Sequence, residues 1–268
     1  MIHLLKIDLK KLTNYRTFWV VCGLYFFILT LVTASGNEVV KWIISKGVQF
    51  FGSNIQITRI PLYYFPDVWQ NIIFVSGLFK IILGILVVIS ITNEFTYRTI
   101  RQNIIDGMSR WEFLFSKILT NGLLSLISVI LVFFIGLITG LIYSPEIILF
   151  DILTNLEFFL AYFLEVFSYL SFALLLGILI NRSGLAILIL LFSRLIEFII
   201  KVNVPNQMDW LINLFPLESM TNLVPFPFLR YALQEIQDYV AIGAVLIASA
   251  WTFLFNYFAY MRLKKSDI

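Results

Sequence analysis

Charged side chains are scarce in this chain of 268 residues: only 13% are Asp, Glu, Lys or Arg, whereas 60% are hydrophobic. A soluble domain carries about 25% charged residues, so the 19 basic and 16 acidic side chains here are too few to cover a globule of 31.1 kDa. Disorder is excluded as well, because disordered chains lack the aromatic and branched residues that are abundant here. The composition therefore predicts a multi-pass membrane protein.

Cysteine and histidine are almost absent. Cys22 is the only cysteine, which excludes an intramolecular disulfide, and His3 is the only histidine. Zinc sites are built mainly from these two residue types, so we expect no metal site. The sequence also lacks H-E-x-x-H and G-x-S-x-G motifs, which leaves an enzyme acting inside the membrane without support.

Long apolar stretches dominate what is present. A helix needs about 20 mostly apolar residues to cross a bilayer, and six stretches qualify, approximately 17–35, 71–92, 113–143, 156–180, 184–201 and 239–261. All 7 prolines fall between these stretches, as expected because proline disrupts a helix interior. The predicted fold is therefore all-α, a single transmembrane domain over residues 1–268.

The basic residues are distributed unevenly between the two sides of this layout. With six spans, both termini lie on the same side as loops 93–112 and 181–183, and that side carries 12 of the 19 basic residues and 5 acidic ones. The opposite side carries 5 basic and 8 acidic residues. The positive-inside rule then places both termini in the cytoplasm of a protein of the inner (plasma) membrane. The net charge of +3 reflects this topology and gives no support for nucleic-acid binding.

Residues 1–16 predict an amphipathic helix that precedes the first span. Apolar residues recur at helical spacing from Ile2 to Leu12, while three lysines occupy other faces. Such a helix lies in the membrane interface. The alternative is a basic orienting segment without defined structure.

Loop 93–112 predicts a second short helix, from Glu94 to Ile105. Its apolar strip consists of Ile100, Ile104 and Ile105. The side chains that project away from this strip are Arg98, Arg101 and Gln102.

Two signals end this helix and start the next one. Gly107 suits a helix C-terminus because it tolerates positive φ. Ser109 and Glu112 fit a capping box, in which each side chain satisfies a free amide of the other residue. The predicted unit is a helix, a glycine turn and a capped helix that enters the membrane.

This unit resembles the membrane subunit of ABC-2 type ATP-binding cassette transporters. In that family an acidic residue ends the second span, followed by a Thr–Ile helix, a Gly or Pro turn, a Ser-Arg pair and a Lys near the start of the third span. The matching positions are Glu94, Thr99, Ile100, Gly107, Ser109, Arg110 and Lys117. The motif is short, but the span layout and the N-terminal helix extend the resemblance over the whole chain.

The resemblance implies that the short cytoplasmic helix is a coupling helix, which docks on a partner ATPase. The implied coupling residues are Glu94, Arg98, Thr99, Ile100, Arg101, Gln102, Gly107, Ser109 and Arg110. It also implies two cytoplasmic ATPase chains, a second identical or related permease subunit, and export of an amphiphilic cargo such as a peptide antibiotic or a lipid-linked molecule. An ordinary basic loop that obeys the positive-inside rule is the alternative interpretation.

No G-x-x-x-x-G-K-[ST] phosphate-binding motif is present in the chain. ATP and magnesium are therefore expected on the partner ATPase, and this chain is expected to be non-catalytic and without a cofactor of its own. The segment 202–238, which is rich in proline and aromatic residues, resembles the short outer helices that ABC-2 subunits place before the last span. The alternative is a set of interfacial aromatic residues that anchor the outer surface, and the two interpretations can hold together.

Five ionisable residues lie within the predicted spans: Lys80, Glu157, Glu165, Arg194 and Glu197. A charge near the bilayer centre costs about 2.5–3.5 kcal/mol on insertion scales, so each needs a partner or water. The helical rise places Glu165 and Arg194 near mid-depth on adjacent helices. We predict that these two pair, with Glu197 as a second partner of Arg194. Lys80 has no partner identifiable from the sequence and is a candidate for a cavity or a subunit interface.

These charges also support an alternative function, an ion-coupled secondary transporter that uses Glu165, Arg194 and Lys80. Such transporters are commonly built from internal repeats, and no repeat between the two halves is visible in this sequence. Finally, Gly136 and Gly140 form a G-x-x-x-G pattern, which permits close helix contact in a membrane.

Overall fold

The computed structural model describes residues 2–45, 62–227 and 239–266, and these residues contain helices but no β-strand. The α-helices are α1 (Ile2–Asn14), α2 (Arg16–Ser45), α3 (Asp67–Leu78), α4 (Lys80–Thr96), α5 (Thr99–Ile105), α6 (Arg110–Tyr143), α7 (Leu149–Leu153), α8 (Glu157–Ile180), α9 (Ser183–Val202), α10 (Pro216–Thr221) and α11 (Ile242–Lys265). A 3₁₀ helix over Asn206–Leu214 precedes α10. The all-α prediction is confirmed for the described residues.

Five helical stretches are long and apolar enough to cross a membrane. They are Arg16–Thr33, Asp67–Thr96, Arg110–Tyr143, Leu149–Ile180 and Ile242–Lys265. These correspond to the first four predicted spans and the last one. The predicted fifth span coincides with α9, a helix of 20 residues that contains Arg194, Glu197 and Lys201 and is not among the five. The structure therefore supports five candidate spans and leaves the predicted fifth span, and with it the six-span layout, unconfirmed.

The helices define two ends of a bundle. The Cβ position of Gly77 faces Glu165, and that of Gly177 faces Ile91, so α8 runs parallel to α3 and α4. Because only two residues separate α9 from α8, α9 returns along the bundle, and its Lys201 reaches Glu218 of α10. The start of α3 and the end of α9 thus lie toward the end of the bundle that carries α10, which we call the α10 end.

The opposite end brings together α1, α5, the start of α6 and the end of α11. Lys11 of α1 donates a hydrogen bond to Asn103 of α5 over 3.2 Å. Arg110, the first residue of α6, donates to the carbonyl oxygens of Lys264 and Ser266 at the end of α11, over 3.3 and 3.1 Å. We call this the α5 end. Both described chain termini therefore lie at the same end of the bundle as α5.

The outer segment predicted at 202–238 is partly described. The 3₁₀ helix and α10 are short helices before the last span, as predicted. Trp251 of α11 donates to the carbonyl oxygen of Leu214 over 2.8 Å, which holds the 3₁₀ helix against the bundle. The remainder of the segment, residues 228–238, lies outside the described residues.

Gly136 and Gly140 lie where α6 packs against α3 and the residues just before it, so the predicted close helix contact is present. A Cβ on Gly136 would lie 2.8 Å from the indole of Trp69, and a Cβ on Gly140 would lie 2.7 Å from two ring atoms of Phe65. The glycines therefore form a groove for two aromatic rings. These rings contact each other at a centroid distance of 5.2 Å.

Replacing Gly140 by alanine should lower the free energy of unfolding by about 1–3 kcal/mol, because the new methyl group overlaps a packed ring. Gly23→Ala is the matched control, since no atom lies within 4 Å of its Cβ position. Alanine is the better helix former by about 1 kcal/mol, so the control should be neutral or stabilising. Thermal unfolding in detergent measures both variants, and equal shifts would contradict the ring groove.

Candidate coupling segment and intramembrane charges

The segment 94–110, hereafter the coupling segment, begins inside a long helix. Helix α4 continues to Thr96, the chain turns at Arg98 with a φ of 56°, and α5 starts at Thr99. The prediction that one short helix starts at Glu94 is therefore wrong. A left-handed residue cannot continue a right-handed helix. The turn is held by the Thr99 hydroxyl, which donates to the carboxylate of Glu94.

The predicted end of α5 and start of α6 are confirmed. Gly107 has a φ of 98°, the conformation for which glycine is suited. Ser109 and Glu112 form the capping box: the Glu112 amide donates to Ser109 Oγ over 3.1 Å, and the Ser109 amide donates to Glu112 Oε2 over 2.8 Å. Helix α6 consequently starts at Arg110, three residues before the predicted span.

A buried ion cluster lies directly behind the coupling segment. Lys117 of α6 pairs with Asp8 of α1 and, over 3.0 Å, with Glu94 at the end of α4. All three residues are buried. Thr120 donates to the second oxygen of Asp8 over 2.6 Å, and Lys11 lies 3.6 Å from Glu94. We call these five residues the ion cluster; its charges balance, which is the condition under which buried ions are tolerated.

The ion cluster joins α1, α4 and α6 at the α5 end. Its Glu94 also binds Thr99 of α5, and its Lys11 binds Asn103 of the same helix. Four helices are therefore linked through charged and hydroxyl groups. These bonds connect α5 to α1 and α6.

Asp8 and Lys11 were missed by sequence reasoning, which treated residues 1–16 only as an amphipathic helix. A signal existed, because Asp8 is the only acid among four basic residues of the first sixteen. Its partner could not be inferred, since Lys117 lies 109 residues away.

The nine predicted coupling residues divide into an inward and an outward group. Glu94 and Ile100 are buried, Thr99 is half-buried, and Arg110 caps the end of α11. The residues exposed at the surface are Arg98, Arg101, Gln102, Gly107 and Ser109. Only the outward group is available to a partner, and the inward group holds the segment in place.

The apolar strip predicted on the short helix is also divided. Ile100 is 1% exposed, whereas Ile105 is 75% exposed, and Tyr97 beside the turn is 65% exposed. Ile105 follows Ile100 by five residues, which places it about 140° away around the helix. The outward surface therefore combines two arginines with two large apolar side chains, a composition found at protein–protein interfaces.

The intramembrane charges pair differently from the prediction. Glu165 of α8 binds Lys80 of α4, so the predicted pair of Glu165 with Arg194 is wrong, and Lys80 does have a partner. A break at Phe79 separates α3 from α4 and makes Lys80 the first residue of α4. Gly77, on the last turn of α3, leaves room for the Glu165 carboxylate, which lies 3.0 Å from its Cβ position.

Arg194 contacts two other carboxylates. Its Nη1 atom lies 3.1 Å from Glu218 of α10 and 3.8 Å from Glu197, so the predicted contact with Glu197 is present. Lys201 shares Glu218 over 2.5 Å. Glu197 also accepts a hydrogen bond from the Leu217 amide over 3.0 Å. Glu218 was missed because it belongs to the segment before the last span, whose fold the sequence did not specify.

A cavity of about 280 Å³ connects the two charge groups. Its polar lining consists of Lys80, Glu165, Tyr169, Arg194 and Thr221. The remaining walls are mainly apolar and come from α3, α4, α10 and the residues after α10. A mostly apolar cavity with a few convergent polar groups is the usual form of a ligand site.

Taken together, the described residues form an all-helical protein with five helices long and apolar enough to cross a membrane, as in a multi-pass membrane protein. A family model described as "Protein of unknown function (DUF2705)" matches residues 27–268, and the chain belongs to this family. Comparison with curated proteins found no match.

Proposed function

We propose that this chain is the permease subunit of an ATP-driven ABC-2 type transporter that exports an amphiphilic molecule. In this proposal α9 is a sixth span, both termini are cytoplasmic, and the protein resides in the inner (plasma) membrane. Two cytoplasmic ATPase chains bind ATP and magnesium. A second permease subunit, identical or related, completes the pathway within the lipid.

One observation carries the proposal: a short exposed helix between two candidate spans is fixed from behind by the buried ion cluster. Helix α5 presents Arg98, Arg101 and Gln102 outward, while Glu94 and Lys117 bind its supporting residues inward. A partner that pushes on α5 therefore acts on α1, α4 and α6 together. An ordinary orienting loop needs basic charge but does not need this support.

The six-span layout is supported by the position of the described termini. Both lie at the α5 end, as an even number of passes requires. Helix α9 has 20 residues, which at 1.5 Å per residue measures about 30 Å, the thickness of a hydrocarbon core. Its charges lie toward the α10 end, where Glu218 pairs with two of them.

Reversing the charge of two outward arginines should abolish binding of the ATPase. The tagged full chain carrying Arg98→Glu and Arg101→Glu is purified from its native membranes in mild detergent, and the co-purifying cassette ATPase is quantified by mass spectrometry. We expect at least a tenfold loss relative to the unaltered chain, because the variants repel a complementary acidic groove.

Lys264→Glu with Lys265→Glu is the matched control, because it makes the same change in charge on exposed side chains at the same end of the bundle. The control should retain the ATPase. Absence of an ATPase from the unaltered protein, or an equal loss in both double variants, would count against coupling through α5.

An ion-coupled secondary transporter is the second candidate, and the cavity favours it, because the Lys80 and Glu165 pair lines the cavity wall. Intramembrane pairs of this kind serve as proton or ion relays in transporters. This candidate predicts uptake driven by a sodium or proton gradient in proteoliposomes that contain the chain alone. Such uptake, without any ATPase, would replace the first proposal.

A further inference from the structure

We propose that the cavity between α3, α4, α8, α9 and α10 binds the anionic head of an amphiphile, with Arg194 as the principal contact. The inference rests on the proposed function, because it names the chemical class of the cargo. It also identifies where that cargo binds.

The charges that face the cavity favour an anion. Lys80 and Arg194 are cations, and Glu165 is the one carboxylate among the lining residues. Because Glu165 is bound to Lys80, its negative charge is already balanced. Arg194 is paired with Glu218 and Glu197, but neither of these carboxylates lines the cavity, so the guanidinium group is the charge that this part of the wall presents.

Arg194 has N–H groups that can still donate hydrogen bonds to a ligand. Both of its carboxylate contacts, to Glu218 and Glu197, use Nη1. Within the described part of the chain, its Nη2 and Nε have no hydrogen-bond partner, and its side chain is 50% exposed. A guanidinium group can bind a phosphate or a carboxylate through two parallel N–H groups. The Nη2 and Nε side of the Arg194 guanidinium group can therefore bind an anionic head.

Lys201 keeps the arrangement stable while Arg194 binds a ligand. It pairs with Glu218 over 2.5 Å, so this carboxylate is neutralised even if Arg194 turns toward the cavity. Glu197 likewise keeps the backbone amide of Leu217 as a donor. Glu218 therefore stays paired when Arg194 exchanges partners, while Glu197, whose Oε2 accepts no hydrogen bond from the described residues, gives up its contact with Arg194.

The remaining walls suit an alkyl chain. Phe74, Ile81, Leu217 and Val224 line the cavity, and Leu78, which also lines it, is 64% exposed at the surface of the bundle. Leu78 and Arg194 thus form the opening of the cavity. In the proposed six-span layout this opening faces the lipid, from which an amphiphile can enter sideways with its head toward Arg194.

The test is photolabelling of the purified full chain in phosphatidylcholine nanodiscs, with a diazirine derivative of dodecyl phosphate as the probe. Labelled peptides are mapped by mass spectrometry. We expect labelling of the segments 74–81 and 217–224. Dodecyl phosphate should compete at least tenfold better than dodecanol, dodecyltrimethylammonium or inorganic phosphate. Charge-assisted hydrogen bonds account for the preference over the first two, and the lost chain contacts account for the last.

Arg194→Gln should reduce specific labelling at least tenfold, and Arg194→Lys should retain part of it. Arg182→Gln, at an exposed arginine at the start of α9, is the control and should leave labelling unchanged. Labelling spread over all lipid-facing helices, equal competition by the four compounds, or a preference for the cationic one would overturn the inference. The competition series uses the unaltered chain, so it decides the question even if Arg194→Gln does not fold.

The outcome is independent of the proposed function, because the assay contains neither ATPase nor ATP. Failed labelling with intact ATPase recruitment would overturn only the assignment of the cargo head. Normal labelling without ATPase recruitment would instead overturn the class of transporter.

Discussion

Replacing Lys117 by methionine is expected to lower the free energy of unfolding by about 3–5 kcal/mol, because Asp8 and Glu94 would remain buried without their shared cation. Methionine is unbranched and nearly as long as lysine, but it lacks both the charge and the N–H groups that donate to Asp8 and Glu94. Both carboxylates are less than 8% exposed, so bulk water does not take over the stabilising role of the lysine. Chemical unfolding of the purified protein in detergent measures the loss.

Two further variants separate the charge effect from general damage at this end of the bundle. Lys10→Met changes an exposed lysine of α1 and should alter stability by about 0.5 kcal/mol or less. The triple variant Asp8→Asn, Glu94→Gln and Lys117→Met removes every buried charge of the trio. It should recover at least half of the loss, because a neutral set leaves no unpaired ion. If the triple variant were no more stable than Lys117→Met, the loss in Lys117→Met could not be attributed to unpaired buried charges in the ion cluster.

The same variant should also weaken recruitment of the ATPase in the proposed complex. The Glu94 carboxylate binds both Lys117 and the Thr99 hydroxyl at the start of α5. When Lys117 is lost, the position of α5 relative to α6 is less constrained. We therefore expect reduced co-purification of the ATPase even at temperatures where the variant remains folded.

Reversing Glu165 to lysine is expected to lower the free energy of unfolding by a comparable amount, about 3–5 kcal/mol, because it leaves Lys80 without a counter-charge inside the bundle. The exchange Glu165→Lys with Lys80→Glu should restore most of the loss. The two side chains would then face each other with opposite charges in the reverse order. Thermal unfolding of the single and double variants in detergent measures the rescue.

Arg194 provides the matched control for this exchange. The double variant Glu165→Lys with Arg194→Glu changes the same number of charges, but Arg194 contacts Glu218 and Glu197. It should show no rescue and should be less stable than either single variant. If Arg194→Glu restored stability and Lys80→Glu did not, the result would contradict the Lys80–Glu165 pair and support the Glu165–Arg194 pair that was predicted from helical depth.

Local features of the fold could be predicted from the sequence because they depend on residues close together in the chain. Ser109 and Glu112 lie three residues apart and meet whenever a helix starts at Arg110. Gly107 takes positive φ at the end of a short helix for an equally local reason. The predicted start of α5 was wrong because the left-handed turn at Arg98 depends on the hydrogen bond from the Thr99 hydroxyl to the Glu94 carboxylate. Secondary-structure propensities take no account of a hydrogen bond between two side chains.

Partners across the bundle could not be predicted from depth alone. Lys80 and Glu165 are 85 residues apart in the sequence. They pair because the break at Phe79 makes Lys80 the first residue of α4, and because Gly77 has no side chain to occupy the space of the Glu165 carboxylate. Successive side chains of an α-helix point in directions that differ by about 100° around the helix axis. Two charges at the same depth can therefore face opposite directions. Glu165 and Arg194 line the same cavity, but each pairs with another residue, because their side chains face different neighbours.

The sequence by itself determined that this protein is helical and apolar enough for a membrane, because composition and the length of apolar runs decide which solvent a helix can enter. It also determined the capped helix that begins at Arg110. Only the tertiary structure decided that Asp8 and Lys117 join α1 to α6, that Arg110 faces the end of α11, and that Arg194 opens onto a cavity. Those outcomes depend on how the helices rotate and pack against one another, which no local spacing specifies.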